Sequence, residues 1–137
     1  MNGFGANCGI GAPDLLATIN DISKNVEPDT VVISKANCGI PEFVDGNITY
    51  SGTEELMSEY VQIEMNSGAK IIGGCCGTSF DHVRAMRKAM DHHIVSSPPT
   101  LEEIEEKVGV MSEGSKSIFQ GDDSKPTKQR RSRRSRT

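Results

Sequence analysis

Aromatic residues and long apolar runs are scarce in this sequence of 137 residues, which has no tryptophan, two tyrosines and four phenylalanines. No apolar run approaches the ~20 residues that a membrane-spanning helix needs, so no membrane span is expected. The first residues also lack the charged and apolar segments of a secretory signal. We therefore predict a cytoplasmic protein, in which four cysteines indicate metal-binding or catalytic thiols rather than a disulfide framework.

Charge is distributed unevenly along the chain. Residues 1–124 carry 8 basic and 19 acidic side chains, a net charge of −11, whereas residues 125–137 carry seven basic side chains and no acidic one. A basic segment of this kind can contact nucleic acid or an anionic surface through phosphate groups. Because no aromatic side chain is interleaved with its arginines, we expect a solvated tail without a specific nucleic-acid partner.

Three segments share one pattern, a strand-like stretch, a turn rich in Gly, Asn and Cys, and an amphipathic helix. The first has its turn at residues 3–9, with no strand before it. The second has a strand at residues 31–33 and a helix that begins after Thr53, a good N-cap residue. The third has a strand at residues 71–72 and a helix over residues 79–92, where apolar side chains recur at helical spacing. This order predicts βα units in a parallel sheet, and therefore an α/β fold.

An internal repeat supports this interpretation. The motif Ala-Asn-Cys-Gly-Ile occupies residues 6–10 and again residues 36–40. The predicted turns follow parallel strands, and such folds place their active sites at that edge of the sheet. Three units cannot close a (β/α)8 barrel, which takes ~250 residues, so we interpret the chain as the C-terminal part of something larger.

The composition changes after the two adjacent prolines at residues 98–99. Residues 96–110 are predicted to form a short acidic helical extension, because Thr-Leu-Glu-Glu at residues 100–103 fits a capping box. In residues 111–137, Gly, Ser, Lys and Arg dominate without aliphatic periodicity. This composition predicts a disordered basic tail.

The adjacent cysteines Cys75 and Cys76 are the most informative feature of the sequence. They lie in Gly-Gly-Cys-Cys-Gly-Thr, directly after the third predicted strand. Neighbouring side chains of a strand point to opposite faces, so the two sulfurs can serve one site only where the backbone leaves strand geometry, which glycine permits. Together with Cys8 they predict a zinc site with three thiolates and an open fourth position. The alternative is that these thiols are buried and pack as small apolar side chains.

Gly-Ala-Asn-Cys at residues 5–8, followed by Gly-Gly-Cys-Cys-Gly-Thr at residues 73–78, resembles the zinc-binding signature of the homocysteine S-methyltransferases. The resemblance covers residues 3–93 and is closest to the bacterial betaine–homocysteine methyltransferase-like branch. It implies that residues 1–95 are a partial homocysteine-binding domain, the C-terminal three βα units of a (β/α)8 TIM barrel. In that family the first cysteine ends strand six and the adjacent pair ends strand eight. The implied Zn2+ ligands are Cys8, Cys75 and Cys76.

The resemblance also implies a reaction, the transfer of a methyl group to the thiol of homocysteine to give methionine. Zinc would stabilise the substrate thiolate and so provide a nucleophile at neutral pH. Betaine, a methyl sulfonium, methylcorrinoid and methyl folate serve as methyl donors in such enzymes, and the loops do not indicate which one applies. The Asp-Gly-Gly turn and the homocysteine-binding carboxylate of the family's N-terminal half have no counterpart here. A homo-oligomer is compatible with these features.

Several residues near the predicted site have more than one interpretation. Asn7 and Asn37 are predicted substrate-binding residues, although Asn7 equally fits an ordinary turn asparagine. Cys38 is a candidate fourth ligand, but a fourth protein thiolate would close the site and make it structural. The three histidines are expected to be solvated. Two other functions stay open, a noncatalytic zinc-binding or vicinal-thiol redox module and an interaction protein that acts through its basic tail.

Overall fold

A computed structural model describes residues 2–121 as an α/β structure. Three strands form a parallel sheet, and two more form a separate antiparallel hairpin. Within the described residues, no helix combines the length and the apolar composition that a membrane crossing needs. In chain order the elements are β1 (Gly3–Cys8), α1 (Ala12–Asn25), β2 (Val31–Ala36), β3 (Pro41–Val44), β4 (Asn47–Tyr50), α2 (Glu54–Ser67), β5 (Ile71–Gly74), α3 (Phe80–His92), α4 (Leu101–Lys107) and α5 (Glu113–Gln120).

The parallel sheet has the strand order β1–β2–β5, so β2 lies in the middle. β1 pairs with β2 from Gly3 opposite Val31 to Cys8 opposite Ala36. β2 pairs with β5, and this ladder ends with Ala36 opposite Gly74. Helices α1, α2 and α3 follow these strands in turn. The prediction of an α/β fold with parallel strands is confirmed, and all three strands end at the same edge of the sheet.

The core lies between one face of the sheet and the helices. Alternate residues of β2 (Val32, Ser34 and Ala36) are buried, as expected for a strand with one covered face. α1 packs on β1 and β2, and α2 packs on both α1 and α3. The largest fully buried apolar side chains are Leu16, Ile19, Met57, Tyr60, Val61, Ile63, Ile104 and Met111.

The prediction that residues 3–9 form a turn without a strand is wrong, because Gly3–Cys8 is β1. Glycine is generally unfavourable in strands, and two glycines in this segment suggested a turn. Here glycine is required by the pairing, since a Cβ on Gly5 would overlap the carbonyl group of Ile33 on β2. The close approach of β1 and β2 therefore explains Gly5, the residue type that argued against a strand in the sequence.

The hairpin of β3 and β4 was absent from the sequence interpretation, which assigned no structure between the second turn and Thr53. Asp45 and Gly46 connect the two strands, and both have positive φ angles, 50° and 81°. An Asp-Gly pair with two positive φ angles is typical of a type I′ hairpin turn. Asp-Gly preceded by Val44 and followed, after Asn47, by Ile48 was thus the available signal.

The prediction of disorder from residue 111 onward is wrong for Glu113–Gln120, which form α5. This short helix packs on α1, and the Lys24 ammonium lies 5.8 Å from the ring centroid of Phe119. The backbone N–H of Ser112 donates to Asp14 Oδ1 at 3.2 Å, which holds the start of α5 against α1. Such tertiary contacts override a weak local propensity. The rest of the predicted tail, residues 122–137, lies outside the described residues.

The expectation of solvated histidines does not describe His93, which is half-buried beside Asn66, or His82, which is only partly exposed. The His82 Nδ1 accepts a hydrogen bond from the backbone N–H of Ser79 at 3.0 Å. This N–H lies at the start of α3 and has no acceptor within the helix. The His82 Nε2 lies 3.1 Å from the carbonyl oxygen of Gly52. His82 therefore links α3 to the segment that leads into α2.

A polar cluster is enclosed between β2 and α2. The Tyr60 hydroxyl donates to Ser34 Oγ, and Ser34 Oγ donates to Glu64 Oε1 at 2.7 Å. All three residues are fully buried, and Glu64 Oε2 has no hydrogen-bond partner within residues 2–121. Burial raises the pKa of Glu64 to about 8, so its carboxyl group is mostly protonated at neutral pH.

Candidate metal centre

Three thiols meet at the edge of the sheet where the parallel strands end. Cys8 is the last residue of β1, and Cys75 and Cys76 directly follow β5. The Cys8 Sγ lies 2.7 Å from the Cys75 Sγ and 3.9 Å from the Cys76 Sγ. All three sulfurs lie within 4.8 Å of one another. The structure therefore brings together the three cysteines that the sequence singled out.

The sulfurs converge across the end of β2, which separates the two strands that carry them. Adjacent strands lie ~4.8 Å apart, so β1 and β5 are separated by roughly 10 Å, and side chains must reach over the middle strand. Cys8 has a φ angle of 63°, an uncommon value for a residue other than glycine. This departure from strand geometry occurs at the point where the first sulfur must turn toward the other two.

The adjacent cysteines lie in a tight turn, as their sequence required. The N–H of Cys75 donates to the carbonyl oxygen of Ala36 at 2.7 Å and extends the ladder between β2 and β5 by one bond. The chain then turns, and the N–H of Thr78 donates to the carbonyl oxygen of Cys75 at 3.3 Å. Gly77 has a φ angle of 76°, and a Cβ at this position would overlap the Tyr50 side chain. The flanking glycine thus allows both the turn and the close approach of the hairpin.

We expect Gly77→Ala to lower the free energy of unfolding by about 2–4 kcal/mol, through the left-handed backbone and the overlap with Tyr50. Gly46→Ala is a matched control, because its φ angle is 81° but nothing lies within 4 Å of its added Cβ. The control should lose only about 1–2 kcal/mol. Chemical denaturation of both variants measures the difference, and equal losses would contradict the contact with Tyr50.

The thiols differ in acidity because they share hydrogen bonds. The hydrogen bond from Cys8 lowers the pKa of Cys75, and the same bond raises the pKa of Cys8. Of these two thiols, Cys75 therefore loses its proton more readily, and Cys8 donates the hydrogen bond to its sulfur. Cys76 is exposed, whereas the other two are half-buried. The group thus has one side that an external molecule can reach.

Tyr50 is a member of this site that sequence reasoning missed. It is the last residue of β4, and the neighbouring Cys76 thiol raises the pKa of its hydroxyl group. The protonated hydroxyl group therefore lies beside the Cys76 sulfur as a possible hydrogen-bond donor. The hairpin that brings Tyr50 to Cys76 was not predicted. No pattern in the sequence therefore indicated that these two residues, 26 positions apart, lie side by side.

The two predicted substrate-binding asparagines lie in different surroundings. Asn7 is on β1, and its Nδ2 lies 3.9 Å from the Cys75 Sγ. Asn37 is buried, follows β2, and uses both ends of its amide within the protein. Its Nδ2 donates to the carbonyl oxygen of Gly9 at 2.8 Å, and its Oδ1 accepts from the N–H of Cys76 at 3.2 Å. Substrate binding by either residue stays a prediction.

Cys38 lies outside the group of three thiols. It is fully buried, and burial raises the pKa of its thiol. The sheet register explains why the repeated motif does not repeat the site. Cys8 is opposite Ala36, so Cys38 comes two residues later than the position on β2 that corresponds to Cys8. Residues 6–8 of the first copy thus belong to β1, whereas in the second copy only Ala36 belongs to β2 and residues 37–40 follow its end.

The three thiols suit a thiophilic metal such as zinc. Ligands ~2.3 Å from a tetrahedral zinc ion lie about 3.8 Å from one another. The 3.9 Å between the Cys8 and Cys76 sulfurs matches this spacing, and the 2.7 Å between the Cys8 and Cys75 sulfurs would have to widen by roughly 1 Å. The donor set is therefore of the right kind, and it leaves a fourth position for another ligand.

These features define a class of protein, an α/β protein with a three-cysteine candidate metal centre at the C-terminal edge of its parallel strands. The sequence model of the family described as homocysteine S-methyltransferase matches residues 1–90. The chain belongs to this family, and the resemblance found in the sequence is confirmed. The family is one of methyltransferases that act on homocysteine.

Proposed function

We propose that this chain carries the zinc centre of a cytoplasmic S-methyltransferase that converts homocysteine to methionine. The observation that carries the proposal is the convergence of the Cys8, Cys75 and Cys76 sulfurs within 4.8 Å of one another. Three thiolates with an accessible fourth position suit a catalytic zinc site rather than a structural one. A zinc ion held there would stabilise the thiolate of homocysteine at neutral pH.

The residues of the chain divide the work of this site between them. Cys8, Cys75 and Cys76 would bind the metal as thiolates. Tyr50 would donate a hydrogen bond to the sulfur of Cys76 and so moderate its negative charge. Asn7, whose amide lies beside Cys75, would contact a substrate that approaches from the exposed side.

The reaction itself is a nucleophilic substitution at a methyl carbon. The homocysteine sulfur loses its proton to solvent and attacks the methyl group with an electron pair. The new carbon–sulfur bond forms as the bond between the methyl group and the donor breaks, and the donor leaves with the electron pair of the broken bond. Betaine, a methyl sulfonium, methylcorrinoid and methyl folate are all candidate donors.

We further propose that the three βα units belong to a (β/α)8 barrel. Within residues 2–121, β1 and β5 each pair with one strand only, whereas a closed barrel leaves no strand edge free. Ile71 on β5 and Phe80 at the start of α3 are exposed, at 53% and 74%. Further βα units beside β1 and β5 would cover such side chains and complete the substrate pocket.

A redox module is the second candidate function, because the Cys8 and Cys75 sulfurs lie only 2.7 Å apart. In this case the two thiols would form a disulfide and give two electrons and two protons to an external oxidant. Zinc and a disulfide exclude each other at this pair, since each needs both sulfurs. The two functions therefore predict different responses to metal.

Homocysteine binding to the metal tests the proposed function directly. We expect the Co2+-loaded chain to show a stronger thiolate-to-metal absorption band when homocysteine is added, because a fourth thiolate joins the three protein ligands. Methionine and serine, which lack a free thiol, are the matched controls. In a protein with the completed barrel, supplying each donor with an isotope-labelled methyl group should then give labelled methionine with one of them. An unchanged spectrum with homocysteine would contradict the proposal, and reversible disulfide formation without metal binding would favour the redox module.

A further inference from the structure

The side chain of Asn37 connects the two turns that carry the candidate ligands. We infer that Asn37 is a positioning residue, which fixes the backbone of Cys76 relative to Cys8 and thereby sets the affinity of the site for zinc. The inference rests on the proposed zinc centre. It assigns Asn37 a role within the protein instead of contact with the substrate.

One end of this connection lies at the adjacent cysteines. The sheet ladder ends when Cys75 donates to the carbonyl oxygen of Ala36, and the N–H of Cys76 then needs another acceptor. Asn37 Oδ1 takes that role at 3.2 Å, in place of a backbone carbonyl. Cys76 is also held through its carbonyl oxygen, which accepts a hydrogen bond from the N–H of Cys38 at 2.9 Å. Consecutive residues of the turn after β2 thus bind both backbone polar groups of Cys76.

The other end of the connection lies one residue after Cys8. Asn37 Nδ2 donates to the carbonyl oxygen of Gly9 at 2.8 Å. β1 and β5 do not pair with each other, so this side chain joins turns that the sheet itself does not connect. Asn37 is 4% exposed, which shields both hydrogen bonds from competing water.

The chemistry of the side chain fits this position closely. The connection needs one donor and one acceptor on a short planar group, which asparagine supplies. Serine is too short to span both partners, and alanine supplies neither group. The first copy of the repeated motif has asparagine at Asn7, but the shift in register leaves that residue on β1 beside a sulfur. The same residue type therefore has different surroundings in the two copies.

Zinc affinity of the complete 137-residue chain tests the inference. The dissociation constant is measured by competition with a chromophoric chelator, for the unaltered chain and for Asn37→Ala and Asn37→Ser. Loss of a residue that orients a metal ligand typically weakens binding by about 10–100-fold, and we expect about 10-fold here. The Co2+ spectrum of both variants should also change, because a displaced Cys76 thiolate alters the geometry of the metal ligands. A general loss of stability would not change the spectrum of the folded, metal-bound protein.

Asn66→Ala is the matched control. Asn66 Oδ1 also joins two segments, since it accepts from the N–H of Ser96 at 2.9 Å and lies 2.8 Å from His93 Nε2, away from the cysteines. This variant should be less stable toward unfolding but should bind zinc as the unaltered chain does. Circular dichroism checks whether each variant folds. If Asn37→Ala does not fold, the zinc affinity of Asn37→Ser tests the role of Asn37.

The possible failures are distinguishable. If the unaltered chain does not bind zinc, both the proposed function and the role of Asn37 are wrong. If it binds zinc and the folded Asn37 variants keep its affinity and Co2+ spectrum, only the role of Asn37 is wrong. An equal loss of affinity in Asn66→Ala would also overturn that role, because the effect would then be one of overall stability.

Discussion

Cys75→Ala is expected to abolish stoichiometric zinc binding by this chain. Removal of a group that merely orients a ligand costs about 10–100-fold in affinity, so loss of a ligand should cost more than about 100-fold. The same result is expected for Cys8→Ala and Cys76→Ala, because the three sulfurs form one group. Zinc content after dialysis, measured by atomic emission under reducing conditions, gives the stoichiometry for each variant.

Cys38→Ala is the control for this series, since the chain offers a fourth cysteine of the same chemistry close by. Its thiol is fully buried and lies outside the group of three. We expect one zinc ion per chain in this variant, with a loss of about 1 kcal/mol in unfolding free energy from the small cavity. Zinc binding that survives all three substitutions, or that disappears with Cys38, would show that the metal centre is assigned to the wrong residues.

The candidate ligands were predictable from sequence because their constraint is local. Cys75 and Cys76 are covalent neighbours, and only a bent backbone can bring their sulfurs to one site, which the following Gly77 permits. Cys8 was predicted from its turn, whose motif recurs after the second strand, and from the family resemblance, because no strand had been assigned before it. The repeated motif was misleading for the opposite reason. Its two copies have the same residues, but the register that places Cys38 beyond the sheet edge depends on pairing between distant strands.

The features that were missed depend on contacts between distant segments. Tyr50 reaches Cys76 only because a hairpin folds back from the turn after β2, and β1 requires glycine at Gly5 because the carbonyl group of Ile33 lies so close. α5 has polar, weakly helical residues, and its packing on α1 becomes visible only in three dimensions. Propensity is a weak guide in each of these cases because tertiary contacts determine the outcome.

Stability should fall on going from acidic to alkaline pH because of Glu64. Burial raises the pKa of this carboxyl group from 4.5 to about 8, so the folded protein keeps a proton that the unfolded chain releases. The stabilisation is fully present below pH 4.5 and is lost as the pH rises through about 8. A shift of this size corresponds to a change on the order of 4 kcal/mol in unfolding free energy. Tyr60 stays protonated over this range, because burial raises its pKa further.

Glu64→Gln removes this dependence while it keeps the acceptor for Ser34 Oγ. The amide group resembles the protonated carboxyl group in shape, and each has one polar atom without a hydrogen-bond partner. The variant and the unaltered chain should therefore be similarly stable at pH 4.5. At pH 9 the variant should be more stable by roughly 3–5 kcal/mol, a large part of the 5–15 kcal/mol typical of a domain. Glu55→Gln makes the same chemical change on the exposed side of α2 and should follow the unaltered chain. Urea denaturation between these pH values measures the difference, and parallel curves for Glu64→Gln and the unaltered chain would mean that Glu64 is ionised in the folded state.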